Sequence, residues 1–337
     1  MILVTGATSG LGRNAVQALA GAGRAVRASG RDARRGAEVA ALGVPFAGAE
    51  LATLDTPTAD ALLAGVDTVW HCAALSSPWG RRADFEAANV EATRRLAQAA
   101  VDRGVRRFVH VSTPSIYFDW RHRHDVPETH RARRFVNDYA RTKAAAEDEI
   151  RRLAAAHPAT RFVILRPRGL FGPHDRVVLP RVLQVLRARG GVLPLPRGGR
   201  ARVDLTYVGN VVHALECASV ATGGVSGAAY NITNQEPATL ATLLERLLRD
   251  ELGMPLRIAA LPYPLMAGLA RASEAWGRVR GREPMLTRYG IGVLNFDMTL
   301  ANARAQAELG YFPPTDLAEG IRLTAQWLRR HGTHHHL

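Results

Sequence analysis

An α/β fold with a doubly wound parallel sheet is predicted by three observations. Short apolar runs alternate with segments of helical period through the first half of the chain. A glycine-rich turn joins the first apolar run to the first helix. The texture then changes after residue 166, where proline- and glycine-rich turns and a mostly helical remainder take over. Strands are expected at 2–5, 25–29, 44–47, 68–72, 107–112 and 161–166, with helices between them at, for example, 14–22, 85–103 and 138–156. Right-handed crossovers then cover the sheet on both faces. Further strands are expected at 203–207 and 229–233, with a helix at 208–219 between them. Residues 1–168, with 203–233 returning to the sheet, make the first domain. Residues 169–202 and 234–330 make a smaller, mostly helical region over the C-terminal edge of the sheet, and 331–337 a tail.

The bulk properties narrow the function. The chain has 337 residues, of which 47% are hydrophobic and 22% charged, enough for a substantial core. Net charge is +14, but the arginines are scattered, so a general arginine bias is the better reading and no nucleic-acid partner is expected. Cys72 and Cys217 form no paired motif, which argues for a reducing, cytoplasmic setting and no metal; the terminal histidines are left out of metal reasoning. Met1 is followed directly by an apolar run with no basic stretch before it, and no run approaches the ~18 apolar residues of a membrane span. No stable membrane insertion is expected. The apolar stretch 259–271 reads as a core or lid helix, with a membrane-surface helix as the weaker alternative.

Three local patterns carry chemistry. The first is Thr5-Gly6-Ala7-Thr8-Ser9-Gly10-Leu11-Gly12, between a strand and a helix. Glycines at 6, 10 and 12 permit a tight turn and bring backbone N–H groups and a helix N-terminus against a pyrophosphate. Gly6, Thr8, Ser9, Gly10, Leu11 and Gly12 are therefore expected to cradle a dinucleotide. The second is the tip of the second strand, Ser29-Gly30-Arg31-Asp32. An arginine there suits a ribose 2′-phosphate, whereas an acidic residue binds a free 2′-hydroxyl. Arg31, with Arg13 and Arg34 as possible neighbours, favours NADP(H) over NAD(H); Asp32 keeps NAD(H) open. The third is Tyr139 and Lys143, four apart on a helix. Of 44 basic residues, 43 are arginine and Lys143 is the sole lysine. An ammonium beside a tyrosine is expected to lower the phenol pKa and fit it for proton transfer. Upstream, the apolar 108–111 run ends in Ser112 and Thr113, and one of these hydroxyls is expected to orient a reacting oxygen.

Together these residues resemble the extended short-chain dehydrogenase/reductase superfamily, with its NAD-dependent epimerase/dehydratase fold, over nearly the whole chain. The resemblance also rests on His71-Cys72-Ala73-Ala74, Asn89-Val90-Glu91-Ala92-Thr93, Leu165-Arg166-Pro167, Phe171-Gly172-Pro173, Leu309-Gly310-Tyr311, Glu319-Gly320-Ile321 and Trp327. The pattern is closest to the 3β-hydroxysteroid dehydrogenase/dihydroflavonol reductase-like group. One departure is the glycine spacing, which is that of the single-domain branch. The resemblance implies a Rossmann fold, with Tyr139 as catalytic acid/base, Lys143 as its partner, Thr113 rather than Ser112 as the catalytic hydroxyl and Asn89 in support. It places Glu50 and Leu51 near the adenine, Ala73 and Pro167 on the cofactor, and Ser115, Tyr117 and Arg168 toward the substrate.

The implied activity is NAD(P)-dependent interconversion of a secondary alcohol and a ketone on a hydrophobic or β-hydroxy/β-keto small molecule. A nucleotide-sugar epimerase is the alternative, and a dinucleotide-sensing protein without catalysis is the alternative of another class. Dehydration is disfavoured, because Pro114-Ser115 stand where sugar dehydratases carry Asp-Glu. The basic loop residues 120–125 and 131–134 would border the substrate but read better as solvated. His174 and His213 read as structural. The family also implies a homodimer, with 85–103 and 138–156 packing against their copies.

Overall fold

The computed structural model describes residues 1–175 and 179–331. Its centre is a seven-stranded, wholly parallel sheet. The strands β1 (Ile2–Thr5), β2 (Val26–Gly30), β3 (Phe46–Gly48), β4 (Thr68–His71) and β5 (Arg107–Val111) are joined by Arg161–Pro167 and Ala228–Ile232. In space the order is Ala228–Ile232, Arg161–Pro167, β5, β4, β1, β2, β3. β1 pairs with both β2 and β4, so the chain reverses its direction of winding there. Crevices for ligands open at the C-terminal ends of the strands at such a reversal. The strands are nearly continuous apolar runs because helices cover both faces. One core layer gathers Val4, Trp70, Val109 and Leu165; the other gathers Leu3, Val69, Phe108 and Phe162.

Helix Gly10–Gly21 leads from the glycine turn. Helix Asp138–Ala156 opens on Asn137, whose Oδ1 accepts the Ala140 N–H at 2.8 Å. Its period of four then stacks Tyr139, Lys143 and Glu147 on one side.

The sequence-based expectations needed revision in three places. Of residues 203–233, only Ala228–Ile232 joins the large sheet. The expected strand 203–207 is broken into Arg202–Val203 and Thr206–Tyr207, which pair in two smaller sheets. The break falls at buried Asp204, whose carboxylate accepts the Leu300 N–H at 2.7 Å, tying it to a distant strand. The helix expected at 85–103 is Arg82–Phe85, a π-helical turn Glu86–Glu91 and then Ala92–Asp102. Such turns commonly mark functional sites. Finally, the 259–271 stretch divides at Pro262. Arg257–Leu261 is a strand parallel to Val192–Pro196, and Tyr263–Arg280 is a helix. A leucine-rich third core, including Leu183, Leu195, Leu244 and Leu248, supports this smaller region.

Candidate active site

The glycine turn is built for close approach. Gly6 and Gly10 take φ of +68° and +52°, conformations that cost residues with a Cβ. A Cβ on Gly12 would stand 2.3 Å from the Gly6 carbonyl oxygen. Ser9 caps the following helix without using its hydroxyl, and the Gly10 N–H is given to the His174 carbonyl at 3.2 Å. A cavity of about 420 Å³ runs from Gly6, Ser9, Gly10, Leu11 and Gly12 past Ala73 and Pro167 to Thr113, Ser115, Tyr139, Lys143 and Arg168. A second, of about 270 Å³, holds Thr8, Arg31, Glu50 and Leu51 and shares Gly6, Ser9 and Ala73 with the first. The two form one elongated trough. A dinucleotide fits its donor set: backbone and hydroxyl donors at the turn, cationic side chains at one end and a cluster of hydroxyls with Lys143 at the other.

At the cationic end Arg31 pairs with Glu50 at 3.3 Å, both half-exposed. Asp32 also lines this end of the trough, but its carboxylate is engaged. It caps helix Ala33–Ala40 by accepting the Arg35 N–H at 3.1 Å and pairs with the Arg35 guanidinium. The backbone hydrogen bond from Arg35 is the main reason its carboxyl titrates below the usual range. Arg13 is engaged by the Glu38 carbonyl.

At the opposite end the hydroxyls converge. Thr113 Oγ1 donates to Ser115 Oγ at 2.9 Å, and Ser115 Oγ meets Tyr289 OH at 2.6 Å. Burial raises the Tyr139 pKa, while hydrogen bonds with Ser76 and Thr113 pull it back only in part. This corrects the expectation that Lys143 makes the phenol more acidic. Lys143 is buried, and its Nζ donates to the Val111 carbonyl at 2.6 Å and lies 3.1 Å from His110 Nε2. The ammonium is turned toward β5 rather than onto the phenol. Burial lowers its own pKa to about 8, although Glu147 opposes this. His110 and His71 are held neutral by burial and by Lys143, His71 at about 3. His71 bridges Thr5 and Thr93, locking the C-terminal ends of β1 and β4 to the helix carrying Thr93.

Arg168 lines the same cavity and is 7% exposed. Its Nε is buried without a hydrogen-bond partner, and it makes no ion pair among the described residues. Desolvation lowers its pKa. Buried Asp204 is near enough to interact with it, but burial pushes that carboxyl up to about 6.

Two expected site residues lie elsewhere. Tyr117 points away from the cavity; its OH donates to Asn231 Oδ1 at 2.8 Å and accepts from Arg166 at 2.5 Å, so it is structural rather than substrate-facing. Asn89 lies on the π-helical turn. It receives the Leu75 N–H at 2.7 Å and donates to Thr142 Oγ1 at 3.1 Å, which spends its amide on positioning the 75–78 loop. Ser112 is likewise structural, donating to Glu147 at 2.5 Å. Conversely, Tyr289 and Ser76 line the cavity unforeseen. Tyr289 lies 174 residues from Ser115, and no local pattern marks it. His174 and His213 take structural contacts, with Gln17 and Cys217 respectively. No cluster of three or more potential metal ligands occurs among the described residues.

The model of the NAD dependent epimerase/dehydratase family matches residues 2–233. An Escherichia coli (strain K12) protein named "Uncharacterized protein YbjS" is 50% identical over 98% of both chains. A 2-alkyl-3-oxoalkanoate reductase of Stenotrophomonas maltophilia (strain K279a) is 33% identical, covering 75% of this chain and 78% of its own. Among solved structures, MoeE5 in complex with UDP-glucose and NAD superimposes with a TM-score of 0.72 at 25% identity, covering 98% of this chain and 99% of its own. The chain belongs to the NAD dependent epimerase/dehydratase family, within the extended short-chain dehydrogenase/reductase group, as an NAD(P)-dependent oxidoreductase.

Proposed function

We propose that the protein interconverts a secondary alcohol and a ketone on a hydrophobic substrate whose reacting carbon lies β to a carboxylate, with NADP(H) as its cofactor. The observation that carries this reading is the buried, unpaired Arg168 in one cavity with Tyr139, Thr113, Ser115 and Tyr289. A buried guanidinium with no direct ion pair, and with Asp204 acting on it only through space, gains from a carboxylate that reaches it, which it binds through paired, charge-assisted hydrogen bonds. The Stenotrophomonas relative's name supports the same substrate class.

When bound, the nicotinamide takes up or supplies the hydride. Gly6, Thr8, Ser9, Leu11 and Gly12 would hold its pyrophosphate, Arg31, Glu50 and Leu51 the adenosine end, and Ala73, Lys143 and Pro167 the remainder. Thr113 and Ser115 hold the reacting oxygen in place. In reduction Tyr139 gives that oxygen a proton; in oxidation it takes the hydroxyl proton while the carbon loses hydride. A phenol raised by burial keeps its proton at neutral pH and so acts best as the acid. Lys143, poised near 8, exchanges a proton readily at that pH and is hydrogen-bonded between β5 and the cavity. The proposed assembly is a cytoplasmic homodimer through helices Ala92–Asp102 and Asp138–Ala156.

With 3-hydroxydecanoate as the probe, Arg168→Met is expected to lower kcat/KM about 10–100-fold, the scale of a lost charge-assisted bond. Methyl 3-hydroxydecanoate, which has no carboxylate, should change little. Equal losses on both would refute the carboxylate reading. What supports an NADP(H) preference is Arg31 and Arg35 on the trough, where Asp32 also stands but with its carboxylate engaged by Arg35. Arg31→Ala should therefore raise the NADPH dissociation constant about tenfold and leave that of NADH nearly unchanged. A cofactor that survives extensive dialysis would favour the epimerase reading instead.

A further inference from the structure

We propose that helix Tyr263–Arg280 is a docking face for an anionic lipid surface, which the protein meets reversibly beside the mouth of its substrate cavity. The helix is amphipathic in an inverted sense. Its inner side, Met266, Ala270, Glu274 and Gly277, is buried. Its outer side is apolar as well. Leu265, Leu269, Trp276 and Val279 are 53%, 50%, 59% and 81% exposed. With exposed Ala272 they fill an arc of about 80° at 3.6 residues per turn, with no charged residue inside it. Exposed apolar surface of this kind in a soluble fold marks an interaction site.

The charges around the arc select the partner. Arg271, Arg278, Arg280 and, in the turn just beyond, Arg282 make no ion pair among the described residues. Arg280 stacks on Trp276 at 4.4 Å and Arg278 on Trp79 at 5.6 Å. The acidic residues of the segment do not offset them. Glu274 faces inward and is held by Arg288, and Glu283 is paired with Arg181. An apolar arc with Arg280 at one edge and Arg271 and Arg278 on the flank beyond the other is the pattern of a helix lying in a membrane interface. A second copy of this chain is a poorer occupant, because stacking the face on itself sets these arginines against one another.

The position of the helix makes the surface useful. Met266 and Ala270 pack with Ile291 of helix Arg288–Asn295, which carries the cavity residue Tyr289. Trp79, beneath Arg278, follows the cavity residues Ser76, Ser77 and Pro78. A substrate with an apolar tail would thus reach the cavity directly from the lipid. The docking claim itself does not depend on the substrate class.

The test uses the full chain and sedimentation with vesicles of phosphatidylcholine alone or mixed with phosphatidylglycerol. Anionic vesicles should retain at least ~10-fold more protein than neutral ones, with the difference shrinking as salt rises. Leu269→Glu and Trp276→Ala, both exposed, should each abolish retention without changing far-ultraviolet circular dichroism or turnover of a soluble substrate. Arg271→Ser with Arg280→Ser should weaken it. Absence of vesicle binding overturns the proposal. So does binding that Leu269→Glu leaves intact, which would assign it to the general positive charge. Dissociation of an oligomer by Leu269→Glu, seen by light scattering, would assign the face to a second copy and overturn it equally.

Discussion

Tyr139→Phe is expected to reduce turnover by at least ~10²-fold, the scale of losing a general acid/base, while NADPH binding by fluorescence titration stays within about threefold. The substitution removes one hydroxyl from a cluster whose other members, Thr113, Ser115 and Tyr289, stay hydrogen-bonded to each other. They can hold the substrate oxygen, but nothing in that chain replaces the proton donor facing Ser76 and Thr113. The wild-type pH profile should carry the same signature. Because burial raises the phenol pKa, reduction should hold its rate through neutrality and fall only as pH climbs past that raised value. Oxidation, which needs the phenolate or its equivalent, should speed up over the same rise. Retained turnover in Tyr139→Phe would remove this residue from the chemistry and leave the cavity as a binding site only.

Arg166→Met should cost stability on the order of 3–5 kcal/mol in urea unfolding, because it breaks a buried ion pair and leaves the Glu147 carboxylate only Ser112 and the more exposed Arg151. Arg166 and Glu147 are 3% and 1% exposed and meet at 2.5 Å through Nη2, with Nε at 2.8 Å from the other oxygen. Arg166 also donates to Tyr117 OH and to the Glu128 carbonyl. Burial alone would raise the Glu147 pKa, but the hydrogen bond and charge of Arg166, then Ser112 and Arg151, outweigh it and hold the carboxyl below its ordinary value. A carboxyl lowered in the folded state contributes stability above its unfolded value of ~4.3, and that contribution fades as pH falls through the lower folded value. Wild-type protein should therefore lose stability on the acid side, and Arg166→Met should have a shallower acid limb. Replacing both partners, Arg166→Met with Glu147→Leu, should recover most of the loss, since the pair is then removed rather than broken. A cost below about 1 kcal/mol for the single substitution, the range of an exposed pair, would show that the carboxylate is solvated after all.

Much of the site could be read locally. β1 matches its expected bounds, Ile2–Thr5, and the turn after it is legible because glycine spacing between a strand and a helix is a short-range backbone requirement. Tyr139 and Lys143 are legible because a helical period is local and because a chain of arginines retains a single amine. Both do line the cavity with Thr113. What failed were statements about direction. Tyr117 and Arg168 are both near strand ends and both polar. Tyr117 turns inward because Asn231 and Arg166 offer it partners, whereas Arg168 makes no direct ion pair among the described residues and remains on the cavity. Spacing put Lys143 beside Tyr139, but His110 and the Val111 carbonyl took its ammonium. The 85–103 helix read as continuous, since a π-turn changes hydrogen-bond register without leaving a strong mark in the apolar pattern.

Sequence alone determined the parallel α/β plan, the glycine turn and the placing of Tyr139 and Lys143 four apart on one helix, because each depends on neighbours within a few residues. Tertiary structure alone decided that Tyr289 closes the hydroxyl cluster, that Glu147 and Arg166 form a buried pair, that the phenol pKa rises rather than falls, and that the apolar face of Tyr263–Arg280 looks outward. Each of these is set by burial or by a partner distant in sequence, and the energy of a polar group depends on which partner reaches it once water is gone.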